Sequence, residues 1–179
     1  MRKYFMIFNK WLILQESSIK DLYSNTINAF PNANKRQNSI DTVKITELQL
    51  TPFLGMKTLF VKGNAQSDSG KNYSPIILFK NVNYHLENDY KYVNLKASDG
   101  KIYFFEHLKN NNVLVRCNCN DFKWRFKHCN FIDESLFGKD GKKYIGKGLW
   151  EANPLGLSGV CKHLIKLTKA INSAGIIIN

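Results

Sequence analysis

Near the amino end, apolar residues recur at three- and four-residue steps: Phe5, Phe8, Trp11 and Leu12, with Gln15 closing the series and Lys3 and Lys10 to the side. That period predicts an amphipathic helix. A second helical run, Ile19, Leu22, Tyr23, Ile27 and Phe30, follows Ser17-Ser18, which can cap it, and Pro31 ends it. Residues 32–41 form a polar linker. From Val43 the period becomes two, predicting strands over 43–50, 58–62, 73–79, 90–95, 101–105 and 113–117. Turn signals separate them: Gly63-Asn64, Asp68-Ser69-Gly70, Asn88-Asp89, Asp99-Gly100 and Asn110–Asn112. Asp99-Gly100, between two alternating runs, is the strongest hairpin signal. Leu164, Leu167 and Ile171 then return to the helical period. Strands without intervening helices exclude a parallel α/β layout. The expected class is α+β: an antiparallel sheet or small barrel, an N-terminal amphipathic helix and a C-terminal helical module that binds zinc. The expected division is a helical segment with linker over 1–42, a β domain over 43–116 and the zinc module over 117–179.

Composition sharpens this. Of the 179 residues 44% are hydrophobic, enough to build a core and to exclude wholesale disorder. No apolar run approaches the ~18–20 residues of a membrane span. Met1-Arg2-Lys3 and the apolar residues after it have the flavour of a signal peptide, but Asn9-Lys10 interrupts them and no small-residue cleavage pattern follows. The first helix is expected to pack on the body or on a partner subunit, with membrane-surface binding as the alternative. Formal charge is +12, which favours a polyanionic neighbour such as nucleic acid. Of the 26 basic residues only four are Arg: Arg2, Arg36, Arg116 and Arg125. Bidentate base reading is a job for Arg, so sequence-specific recognition is the weaker form of that idea. The Lys bias, with 21 Asn, equally suits an AT-rich genome.

The chemistry concentrates late in the chain. The last predicted strand runs into Cys117-Asn118-Cys119, and 41 intervening residues lead to Cys161-Lys162-His163. Three thiolates and an imidazole suit a closed tetrahedral zinc site. In extended chain, residues two apart point the same way, so Cys117 and Cys119 can converge on one ion. Cys161 and His163 converge if the cysteine sits in the turn before a helix and the histidine in its first turn. Gly156 and Gly159 give such a turn its freedom. Thiolates there also gain from the helix dipole. Four Cys in this spacing read as metal ligands in a reducing compartment more than as a disulfide frame.

This CxC…CxH pattern followed by a helix resembles the SWIM-type zinc finger, over Cys117 to about Ile171. Cys117, Cys119, Cys161 and His163 each match a ligand position, and the resemblance implies one structural Zn2+. The insert is longer than in many members. The longer string Arg116-Cys-Asn-Cys-Asn-Asp-Phe-Lys-Trp-Arg-Phe126, with Asn153-Pro154 and Gly159-Val-Cys-Lys-His-Leu164, is also similar to small virion proteins of tailed bacteriophages. Those carry comparable blocks and an aromatic N-terminal helix like Phe8-Asn-Lys-Trp-Leu12.

Cys129, preceded by His128, is expected to fill a core gap between Phe126 and Phe131, or to exchange with a ligand. His85 and His107 are expected to be surface or core residues. Asp121 is expected to cap a helix with Phe122, Phe126, Cys129 and Phe131 or Ile132 on one face. Lys123, Arg125 and Lys127 interleave with that face, and Lys139, Lys142, Lys143 and Lys147 populate a glycine-punctuated loop. These seven are the candidate nucleic-acid contacts. No GxSxG, HExxH, GxGxxG or P-loop motif occurs, and His85-Leu86-Glu87 lacks the P-C-x-x-C a zinc deaminase needs, so no enzyme is expected. The expected function is a zinc-stabilised assembly protein, a tailed-phage virion component docking on other subunits through its N-terminal helix. The alternative is a DNA- or RNA-binding module. The location is the virion under the phage resemblance and otherwise the reducing cytoplasm.

Overall fold

The computed structural model describes residues 17–30, 40–139 and 152–177. The helix expected over Phe5, Phe8, Trp11, Leu12 and Gln15, most of the linker, and Lys142, Lys143 and Lys147 lie outside the described residues.

Helix α1 spans Ile19–Ala29 and starts where the sequence places it. Ser18 Oγ accepts from Asp21 N at 3.3 Å while the Asp21 carboxylate accepts from Ser18 N at 2.9 Å, a reciprocal cap. Its buried stripe is Ile19, Leu22 and Thr26, so Tyr23, expected inside, is exposed. Thr26 is tolerated there because its hydroxyl donates to Leu22 O at 2.8 Å and accepts from Val160 N at 2.8 Å.

Among the described residues eight strands follow, all of them in antiparallel ladders and divided between two sheets rather than gathered in one. β1 (Lys44–Phe53), β2 (Thr58–Gln66), β4 (Ile76–Phe79) and β8 (Val113–Arg116) lie in that order, with β3 (Asn72–Tyr73) also paired to β2. β5 (Tyr84–His85), β7 (Ile102–Phe105) and β6 (Val93–Lys96) form the second sheet. Asp99-Gly100 does turn a hairpin, β6–β7: Gly100 N donates to Ala97 O, Ala97 N donates to Lys101 O, and Gly100 has φ +82°.

Other boundaries move for physical reasons. Gly63-Asn64, read as a turn, lies inside β2. The glycine is needed because a Cβ there would come 2.9 Å from Leu167 Cδ1 on the helix packed above. The run over 73–79 splits at Ser74-Pro75, where Pro75 has no N–H to give a ladder. The run over 90–95 begins only at Val93, since Tyr92 N closes a turn onto Asp89 O and Tyr90 is fully exposed. β5 is too short to show as alternation.

After β8 the chain enters a helical stretch with a π turn at Phe122–Phe126, in which Lys127 N donates five residues back to Phe122 O. Helix α2 (Lys127–Ile132) continues it, and α3 is Lys162–Ser173. Phe122, Phe126 and Cys129 are buried as expected, but Phe131 and Ile132 are exposed. Phe131 follows Cys129 by only two residues, which carries it to the far side of a helix. One hydrophobic cluster unites Ile19 and Leu22 of α1, Leu59, Val61, Ile77, Phe79, Val113 and Val115 of the larger sheet, and Leu164, Leu167 and Ile171 of α3. Among the described residues no helix is long and apolar enough to cross a membrane.

Candidate metal centre

Two local rules bring the ligands together. On β8 the inward parity is Val113 and Val115, and continuing by two carries Cys117 and then Cys119 to the buried side, leaving Asn118 exposed. Asn118 fastens that turn to the β3–β4 link, its Oδ1 accepting from Ser74 N at 2.9 Å. Arg116 holds the other flank by donating to the carbonyls of Phe137 and Lys139. Across the site, Cys161 is the N-cap of α3, extended at φ −80° and ψ 168°, and His163 sits in the first turn. That is the geometry the CxH spacing requires.

Cys117, Cys119, Cys161 and His163 are all buried, and one ligand atom from each lies within 4.8 Å of the others. His163 turns Nδ1 toward the sulfurs, 3.9 Å from both Cys117 Sγ and Cys161 Sγ. Zn–S and Zn–N bonds of about 2.3 and about 2.0 Å put neighbouring corners of a tetrahedron about 3.5–3.8 Å apart, so a small contraction closes the set on one ion. The four cysteines of the chain are free thiols. Soft sulfur with one imidazole is a donor set for zinc or a similar thiophilic ion rather than for calcium or magnesium.

The electrostatics favour a thiolate at Cys119. The Cys119 thiol is held far below its ordinary range, first by the Cys117 thiol and then by that of Cys161, both donating to it. Cys117 is pushed up by the same pairing, and burial pushes Cys161 up. Phe122 N also donates to Cys119 Sγ at 3.3 Å. Cys119 thereby occupies the capping place expected of Asp121, which makes no cap bond and instead pairs with Arg125 at 3.1 Å. Both Cys119 and Cys161 thus stand at helix N-termini, where the dipole stabilises a negative sulfur. The Tyr73 ring lies 4.2 Å from the His163 ring, covering it, and His163 Nε2 is buried with no partner among the described residues.

Cys129 is outside this cluster. It is buried, accepts from Asn153 Nδ2 at 3.5 Å, and burial pushes its pKa up to about 11, the state of an inert core thiol. His85 stacks on Tyr92 at 3.9 Å, and His107 Nδ1 lies 3.1 Å from Gly175 O; neither approaches the site.

Sequence reasoning missed the clamp that delivers Cys161. The buried Asn130 amide donates to Gly159 O at 3.1 Å and accepts from Gly159 N at 2.9 Å. Asn153 Nδ2 donates to Arg125 O and Leu157 O, and Thr26 takes Val160 N. A buried asparagine on a helix was the only signal, and a single sequence does not reveal burial. Of the seven basic candidates, Lys123 and Lys139 are exposed, Lys127 is half-buried, and Arg125 is engaged by Asp121 and by the Phe30 ring at 5.4 Å. The chain matches no family model, no curated protein and no solved structure.

Proposed function

We propose that Cys117, Cys119, Cys161 and His163 hold one structural Zn2+, and that the protein is a non-enzymatic assembly component, of the tailed-phage virion kind, docking on other subunits through its N-terminal helix. What carries the reading is the closed set of four buried ligands at a junction of strand and helix. Four protein donors leave no coordination position for water or substrate, so the ion's work is cross-linking rather than catalysis. It would tie the end of β8 to the start of α3, elements 42 residues apart in sequence between Cys119 and Cys161.

Metal analysis tests the ligand set. Protein purified without chelator should carry one zinc per chain, lost in Cys161→Ser and His163→Ala and kept in Cys129→Ser. Absence of metal, or equal loss in Cys129→Ser, would sink the assignment. Docking is tested separately: deleting residues 1–15 should abolish incorporation into a multi-subunit particle while zinc content stays. Loss of zinc in that truncation would return the segment to this chain's own core.

A second reading, nucleic-acid binding, draws on one surface feature. Trp124 is half-exposed with the Lys123 ammonium 4.7 Å from its ring, a pairing that can stack a base and meet a phosphate. Binding to mixed-sequence DNA that falls by orders of magnitude between about 50 and 200 mM salt would favour it over the assembly role.

A further inference from the structure

A cleft of about 370 Å³ opens between α1 and α3, and none of the four ligand side chains lines it. Its floor is aliphatic: Ile19, Val160, Ile165 and Ile177 line it and are each almost fully buried. Its rim is cationic, with Lys20, Lys109 and Lys169 all exposed and no carboxylate in the lining. Among the described residues none of these ammonium groups is ion-paired. The far wall is fixed in place, Leu108 N donating to Ile176 O at 3.0 Å beside the His107–Gly175 contact.

We infer that this cleft binds an amphiphile made of an unbranched acyl chain ending in an anion, a long-chain carboxylate being the simplest case. The volume falls in the small-molecule range of roughly 300–1,000 Å³. A volume of about 370 Å³ is smaller than a single turn of a helix about 10 Å across and still admits a chain of methylene width. An aliphatic floor takes the chain, and a ring of lysines without a competing acid takes the anionic head. The acyl chain would bridge α1 and α3 over Val160, which bonds to Thr26 of α1 and immediately precedes the metal ligand Cys161.

The test is calorimetric titration of the full chain with decanoate, dodecanoate and tetradecanoate below their micelle concentrations. Saturable one-to-one binding should tighten by about three- to fourfold per methylene until the slot is filled. Lys109→Glu and Lys169→Glu should each weaken dodecanoate about tenfold, whereas Lys96→Glu on the second sheet should leave it unchanged. Equal affinity for dodecanol, equal weakening by Lys96→Glu, or no saturable binding would overturn the proposal. Binding of an acidic amphipathic peptide but not of dodecanoate would also overturn it, and would make the cleft a protein-docking face.

Discussion

A Cβ placed on Gly159 would lie 2.5 Å from Thr26 Oγ1 and 2.8 Å from Phe126 Cε1, distances that real side chains do not tolerate. Two residues later comes Cys161, so this glycine sets how closely the ligand strand approaches α1 and the π turn. Gly159→Ala should cost roughly 1–3 kcal/mol by overpacking and loosen metal binding with it; denaturant midpoints with and without chelator read both effects. Asp133 offers a pH test in which the metal's own pH dependence cancels between parent and variant. Burial raises its pKa, against the lowering by Ser135, which donates to its carboxylate at 2.6 Å. A raised acid pKa means the folded state holds the proton longer than the unfolded state. Its contribution is therefore fully present below the unfolded value of about 3.9 and is lost as pH rises through the folded value. Asp133→Asn keeps an acceptor for Ser135 and removes the titration. The stability of the parent relative to this variant should therefore fall across that window, and a flat difference would show that Asp133 is not desolvated. The sequence marks Gly159 only for turn freedom and Asp133 not at all, because crowding and burial are properties of the packed chain.

At the scale of elements, what was legible follows the range of the determining interaction. The α1 cap was readable because Ser17-Ser18 stands immediately before the apolar run, and Ser18→Ala should cost about 1 kcal/mol, seen as a lowered thermal midpoint with unchanged metal content. The Asp99-Gly100 hairpin was readable for the same reason. The CxC and CxH pairs were readable because a spacing of two has one geometry in a strand and another at a helix start, and both are realised here. Illegible were the features that depend on a distant neighbour. Gly63 looked like a turn and is instead a strand residue cleared for Leu167. Asp121 looked like a cap, and Cys119 holds that place. The protection of the ten-residue edge strand β1 is likewise long-range: Ser98 of the β6–β7 hairpin bonds both backbone groups of Leu50, Pro52 removes one donor, and the register shift between Ile45 and Glu47 interrupts the ladder. These devices blunt the edge against pairing with another chain.

For the molecule as a whole, the question is what the metal site holds up. From sequence, strands before Cys117 carry no ligand, which favours a sheet that outlasts removal of the ion. The core favours a different outcome. Leu164, Leu167 and Ile171 of α3 share one cluster with Leu59 and Val61 of β2 and Ile77 of β4, and Leu167 is in contact range of the Gly63 backbone. Structural zinc contributes on the order of 10 kcal/mol in small zinc domains, comparable with the ~5–15 kcal/mol total stability of a domain. If α3 loses its anchor at Cys161 and His163, the apolar face it covers on β2 is exposed as well, and the loss cannot stay local. Chelation should therefore speed amide hydrogen exchange in α3 and in β2 and β4 together, with a single thermal transition shifted downward. Lowering the pH should act in the same direction, since protons compete with the metal for three thiolates and an imidazole. The measurement that decides is exchange resolved by peptide: fast exchange in α3 with β2 and β4 still protected would mean that the sheet stands without the zinc module, and that the shared core is a contact between two units rather than one cooperative body.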